Sequence, residues 1–157
     1  KTVDLFTESS LTYKKSFIEA DEFDRGERVK LNFAHTFGHA IETVTNYGIP
    51  HGTAVAVGMI MANHISQERG YLPSDMAKRS EAVLLQVIDI DVTLLDKPFC
   101  EYMRSIRKDK KQESDALTAV LITEYGDTGE LSVVHDITED EIRSAIDYFI
   151  SIYGEKE

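Results

Sequence analysis

The chain has 157 residues, a net charge of −11 and a single cysteine. That length suits one domain burying roughly two thirds of its unfolded surface; the acidic balance argues against nonspecific nucleic-acid or anionic-membrane binding. No apolar run approaches the ~20 residues a membrane span needs, no signal-peptide pattern opens the chain, and the lone Cys100 excludes an internal disulfide and fits a reducing cytoplasm.

In chain order, Ser9 and Ser10 can cap a helix that runs to about Ala20. Asp21-Glu-Phe-Asp-Arg-Gly26 reads as a charged bend with Gly26 as its breaker. A helix from about Arg28 to Asn46 follows, ended by Tyr47-Gly-Ile-Pro50. His51 opens another, to about Arg69, stopped by Gly70; its Ala54, Gly58 and Ala62 form a small-residue face against which a second helix can pack closely. Pro73-Ser-Asp introduces an amphipathic helix from Met76 to about Val87, and a shorter one spans Leu94 to Ile106 with an interruption near Pro98. Ala116–Thr123 is rich in β-formers and Glu130–Val134 can pair with it across the turn residues Gly126-Asp-Thr-Gly129. Thr138-Glu-Asp-Glu141 is a capping box that opens a final helix to about Tyr153. The expected fold class is therefore mainly α, a multi-helix domain with one small β-hairpin.

The chemistry concentrates between Arg28 and Met59. At 100° per residue, Arg28, Asn32, His35, His39 and Glu42 form one stripe on the expected helix, while Leu31, Phe33, Phe37, Ala40, Ile41 and Val44 fill much of the rest of its circumference. A helix buried on most sides must aim such a stripe at a cavity, a ligand or a metal, because each unpaired buried polar group costs about 1–3 kcal/mol. His35 and His39, spaced i,i+4, can share a metal, and His51 returns near them after a short connection. Spacing alone leaves two readings open, a metal site or a satisfied structural cluster. Cations that can serve an anionic small molecule are also present at Lys14, Lys15, Arg28 and Arg107-Lys-Asp-Lys-Lys111.

The string Arg28-x-x-x-Asn32-x-x-His35-x-x-x-His39-Ala-x-Glu42, followed by His51-Gly-x-Ala-Val-Ala-x-Gly-Met59, closely resembles the C-terminal domain of 3-dehydroquinate synthase. Lys14 through Asp21-Glu22 is similar to the family's lysine-to-Asp-Glu segment, and Asp109-Lys-Lys111 to its late Asp-Lys-Lys motif, so the resemblance covers residues from about 10 to 135. It implies that His35 and His51 are ligands of Zn²⁺ (or Co²⁺), with a third ligand, a glutamate, supplied by a preceding nucleotide-binding domain. No Gly-x-Gly-x-x-Gly, Gly-Gly-Gly loop or alternating βα pattern occurs here. Residues 1–157 are thus expected to be the helical metal- and substrate-binding domain, with the N-terminal NAD-binding domain absent from the chain and the isolated piece inactive. Glu42 is not expected to replace the missing carboxylate.

Other roles carried by the resemblance are His39 in proton transfer near the substrate phosphate, Asn32 and Lys14 on substrate hydroxyls and carboxylate, and Arg28 and Lys110 on phosphate. A planar Arg fork and compact lysine charges suit those anions. The implied reaction is that of a carbon–oxygen lyase of the shikimate pathway to aromatic amino acids, converting 3-deoxy-arabino-heptulosonate 7-phosphate to 3-dehydroquinate and phosphate, in a cytoplasmic enzyme that acts as a homodimer. Two positions depart from the family pattern: Ala34 stands where glycine is usual, adding one methyl within the expected helix, and Thr53 where glutamate is usual. A related sugar-phosphate cyclase, a metal-dependent alcohol dehydrogenase and a non-catalytic metal-binding module are the competing readings. Without the resemblance, Lys14 and Lys15 would read as solvated helix residues, Arg28 as the partner of Asp24, and Lys108, Lys110 and Lys111 as a surface charge run; His64 and His135 are expected to be structural or exposed, and Cys100 a small core residue.

Overall fold

The computed structural model describes residues 7–12, 14–15, 19, 27–108, 117–125 and 129–154, with the side chains of 27, 28 and 125 excepted. Two compact units divide after Asn32. In the first, the described residues between 7 and 19 are helical; the helix already includes Thr7 and Glu8, so Ser9 and Ser10 lie inside it and do not cap it, and Glu27–Asn32 forms a 3-10 segment. Lys15 Nζ lies 3.6 Å from a Glu19 carboxylate oxygen one turn on, with both side chains in solvent.

The second unit carries five helices and the hairpin among its described residues: α1 (His35–Val44), α2 (His51–Glu68), α3 (Ser74–Leu84), α4 (Phe99–Lys108), β1 (Leu117–Tyr125), β2 (Gly129–Ile137) and α5 (Glu139–Gly154), with a 3-10 turn at Val92–Leu95. α2 is the central element and packs against α1, α3, α5 and β1. It is apolar on nearly every side, and Ala54, Val57, Ile60, Met61, Ala62 and Ile65 are all buried. α5 contributes Ile142, Ala145, Phe149 and Tyr153, the period of a helix with one inward face. The strands pair antiparallel, with bulges between Leu117 and Ala119 and between Ile122 and Glu124, and β1 buries Leu117, Ala119, Val120 and Leu121.

The single helix expected from Arg28 to Asn46 is broken. Phe33 and Ala34 form a turn, Ala34 takes a left-handed backbone (φ 68°, ψ −14°), and α1 begins only at His35. A positive φ cannot continue a right-handed helix, and a count of side-chain faces does not register such a break. Ala34 is therefore a strained N-cap and not an extra methyl inside a helix. Its carbonyl accepts the first bond of α1, from Gly38 N–H at 2.8 Å. The same carbonyl lies where α2 comes closest: a Cβ on Gly58 would stand 2.5 Å from Ala34 O and 2.9 Å from Gly38 N, and one on Gly38 would stand 3.2 Å from Val55 Cα. The small-residue face foreseen on α2 is thus used, with Gly58 at its tightest point.

Cys100 is exposed, contrary to its expected place in the core. α4 turns Tyr102, Met103 and Ile106 inward, which leaves position 100, in the first turn, facing out. α3 starts at Ser74 and ends at Leu84, three residues short of the expected Val87, and α4 starts directly after Pro98. α1 ends where Asn46 and Tyr47 both adopt positive φ and Tyr47 N–H returns to Glu42 C=O at 2.7 Å.

The capping box at the start of α5 forms as read: Thr138 N–H donates to Glu141 Oε2 (2.8 Å) and Glu141 N–H to Thr138 Oγ1 (3.2 Å). Glu141 also receives both Nε and an Nη of Arg69, the C-cap of α2, while Arg69 Nη1 reaches Asp136 at 2.7 Å. Arg69 and Glu141 side chains are only 16% and 23% exposed, so this junction is screened less than an ordinary surface pair.

Two outcomes follow from this packing. Gly58→Ala should lower stability by about 1–3 kcal/mol, since the new methyl meets backbone and not a movable side chain, whereas Ala34→Gly should raise it by about 0.5–1 kcal/mol by relieving the left-handed strain; thermal unfolding of both variants checks the crossing. At Glu141, the Arg69 guanidinium holds the carboxyl down at about 2, below its ordinary value of 4.5. A depressed carboxyl contributes stability above its unfolded pKa and loses it as pH falls. Glu141→Gln should therefore cost about 1–3 kcal/mol at pH 7, and the difference from wild type should close between about pH 5 and pH 2 in urea titrations.

Candidate metal and substrate site

α1 is short, and its stripe survives the break upstream: His35, His39 and Glu42 project from successive turns of one face. The Schellman-type return at Tyr47 and the Pro50 start of α2 bring His51 back over that face. The three imidazole rings cluster, with centres 5.4 Å apart for His35 and His39, 5.6 Å for His35 and His51, and 6.0 Å for His39 and His51. A tetrahedral ion bound about 2.0–2.1 Å from each ring nitrogen would set ring centres about 5 Å apart, so the cluster is already close to a metal-holding spacing.

Hydrogen bonds assign the nitrogens. His35 Nδ1 is 3.0 Å from the Phe33 carbonyl, and His51 Nδ1 is 3.1 Å from Glu42 Oε2. A carbonyl and a carboxylate only accept, so both Nδ1 atoms carry the proton, and in each neutral ring the lone pair is on Nε2. Two imidazoles with Nδ1–H tied down and Nε2 open form a donor set that fits a divalent metal. His39 is exposed on the same face, and Glu42 is buried at 8% exposure. Ligand-type atoms of His39, Glu42 and His51 also lie within 4.8 Å of one another. Thus Glu42 does face the cluster, which the sequence reading had set aside. The signal for it was present, since Glu42 lies three residues beyond His39 on the stripe; what the pattern lacked was the position of His51.

The remaining expected site residues are distributed unevenly. Lys14 is an exposed helical residue of the first unit, and Asn32, also there, donates its amide Nδ2 to Val29 O at 3.0 Å. Arg28 lies on the 3-10 segment with its side chain outside the described residues, and Lys110 lies outside them altogether, as does the expected Arg28–Asp24 pair. Of the late basic run, Arg107 pairs with Glu139 at 2.8 Å and Lys108 is exposed. Thr53 sits half-buried in the first turn of α2, two residues beyond His51. His64 stacks on Tyr148 (centres 4.2 Å apart) and bonds Ser144, with burial lowering its pKa; His135 lies 3.2 Å from Thr118. His64 is thus half-buried and structural and His135 exposed, each within the expected roles. A separate cavity of about 410 Å³ lies beside the Val92–Leu95 turn, walled by Phe99, Tyr102, Arg143, Ile146 and Ile150, and contains no histidine. No helix among the described residues is long and apolar enough to cross a membrane.

The 3-dehydroquinate synthase C-terminal family matches residues 2–112. The chain is 39% identical over 140 residues to a 3-dehydroquinate synthase of Dichelobacter nodosus, covering 85% of this chain and 36% of the relative. It is 31% identical over 144 residues to that of Streptococcus pneumoniae strain JJA (91% and 38%), and 32% identical over 143 residues to a bifunctional 3-dehydroquinate synthase/phosphatase of Fusobacterium nucleatum (90% and 21%). It therefore spans well under half the length of these curated relatives. In fold it is similar to 2-deoxy-scyllo-inosose synthase, solved with carbaglucose-6-phosphate, NAD⁺ and Co²⁺ (TM-score 0.73, 23% identity, 94% of this chain and 41% of that one). A 2-epi-5-epi-valiolone synthase of Streptomyces hygroscopicus, solved with NAD⁺ and Zn²⁺, gives a TM-score of 0.66 at 17% identity (90% and 37%). With the family's histidine spacing in its sequence and a matching domain in its fold, this chain belongs to the 3-dehydroquinate synthase C-terminal family.

Proposed function

We propose that the chain is the metal- and substrate-binding half of a cytoplasmic, homodimeric 3-dehydroquinate synthase, which eliminates phosphate from 3-deoxy-arabino-heptulosonate 7-phosphate and closes the carbocycle of 3-dehydroquinate in the shikimate pathway to aromatic amino acids. The observation that carries the reading is the pair of Nδ1-anchored histidines, His35 and His51, with His39 between them on an open face. Zn²⁺, or Co²⁺ in its place, would be held by Nε2 of His35 and His51, and its remaining protein ligand and the NAD site belong to an N-terminal nucleotide-binding half. When bound, the divalent ion supplies Lewis acidity and a template for substrate oxygens, and NAD takes up and returns a hydride.

The chain's own residues then do the positioning and the proton work. His39, exposed beside the two ligands, hydrogen-bonds the substrate near its phosphate and moves a proton there through its imidazole. Arg28 and Lys110 neutralise the phosphate as it leaves, Arg28 by its bidentate fork. Lys14 and Asn32 fix the carboxylate and hydroxyls, so that the acidic C–H and the leaving phosphate are held in one geometry.

One observation favours a sister activity on another sugar phosphate: Thr53 stands two residues from His51, where the family usually has glutamate, and it removes a charge from the rim of the site. Phosphate release separates the two. Full-length protein given heptulosonate phosphate, NAD⁺ and Zn²⁺ should release phosphate in a zinc-dependent way. His35→Ala should lower the rate by about a thousandfold or more, the loss of several kcal/mol of charge stabilisation. Residues 1–157 alone should release none. A folded, zinc-loaded full-length protein that releases no phosphate from this substrate would reassign the activity to a sister cyclase.

A further inference from the structure

Glu42 has no role in the reading above, and it is the one acidic side chain buried against the histidine cluster among the described residues. It stands on α1, its carboxylate oxygen Oε2 is 3.1 Å from His51 Nδ1, and its side chain is 11% exposed against 57% for His51. A buried carboxylate must be hydrogen-bonded or bound to a cation to be tolerated. Here the bond it makes is to Nδ1 of His51. Phe33 C=O does the equivalent service for His35.

We propose that Glu42 is a positioning residue: by accepting the Nδ1–H of His51 it fixes the ring's orientation and tautomer, presents Nε2 to a divalent cation, and is not itself a ligand of that cation. The inference rests on the metal reading of the proposed function. It also resolves two ways of grouping the same side chains. His39, Glu42 and His51 could chelate an ion among themselves, since a 3.1 Å oxygen–nitrogen separation suits either a shared ion or a shared proton. The parallel with His35 favours the proton. Both histidines are anchored at Nδ1 by an acceptor from their own neighbourhood, and a backbone carbonyl that receives a ring N–H is an orienting partner of the same kind. A carboxylate in that position also makes the ring a stronger donor to a cation, which a carbonyl does less.

The test is Zn²⁺ affinity of the full-length protein by competition with a chromogenic chelator, for wild type, Glu42→Ala, Glu42→Gln and His51→Ala. Glu42→Ala should weaken binding about 10–100-fold, the usual cost of losing such a partner. Glu42→Gln, whose amide oxygen still accepts from Nδ1–H, should stay within about fivefold of wild type. Apo unfolding temperatures of the variants separate lost affinity from lost folding. If Glu42→Gln loses as much as His51→Ala, Glu42 is a ligand and the proposal falls; it falls as well if Glu42→Ala binds as tightly as wild type. NMR of the cadmium-loaded, histidine-labelled wild type gives an answer that needs no variant. Metal coupling should appear at His51 Nε2 with a proton on Nδ1, and coupling at Nδ1 overturns the assignment. Wild-type protein that binds no divalent metal would instead overturn the metal reading itself, and this proposal with it.

Discussion

The structure turns on one close approach, that of α2 to the left-handed turn at Ala34. Helices ordinarily sit about 8–10 Å apart because side chains separate their axes. Here Gly58 lets α2 backbone rest against the Ala34 carbonyl, and Gly38 lets α1 rest against Val55. Because the contact is backbone to backbone, it fixes the relation of α1 to α2 more tightly than interdigitated side chains would. The short Thr45–Pro50 connection is then held at both ends, and His51 must fall over the face that carries His35, His39 and Glu42. A site made by two helices acquires its geometry from their crossing.

The electrostatic organisation is economical. The chain as a whole is strongly acidic, yet the cluster consists of three imidazoles and one carboxylate, and the carboxylate is the buried member. Glu42 thus meets His51 from the less exposed side of the pair, 11% against 57%. The basic residues assigned by family resemblance, Arg28 and Lys110, come from other segments of the chain.

Away from the cluster, the scaffold is locked where helices end. Arg69 closes α2 and at once binds Glu141, which belongs to the capping box of α5, and Asp136 at the end of β2. One guanidinium therefore ties the central helix, the hairpin and the last helix together, and desolvates only one strongly paired cation to do so. Tyr102 and Tyr153 hold the loop around Ile88–Leu95 by hydroxyl contacts to its backbone. Burial pushes the Tyr102 hydroxyl up to about 12, which keeps it a donor to Leu95 O at any physiological pH.

Much of this was written in the sequence as periodicity and punctuation. His51 as the start of a helix, Gly70 as its stop and the Thr138–Glu141 box were legible because each depends on residues within one turn of one another. The histidine stripe was legible for the same reason, and the family pattern added His35 and His51 as a pair. Three features were not. Ala34 carries no chemical mark of its left-handed backbone, because the crossing with α2 imposes it. Cys100 looks like a core residue beside Phe99, yet α4 is rotated by the anchoring of Tyr102, Met103 and Ile106 so that position 100 faces outward. Glu42 reads as one more polar residue on a stripe until His51 arrives from the next helix. Local sequence determined which side chains share a face; only the packing of two glycine-lined helices decided which of those faces meet.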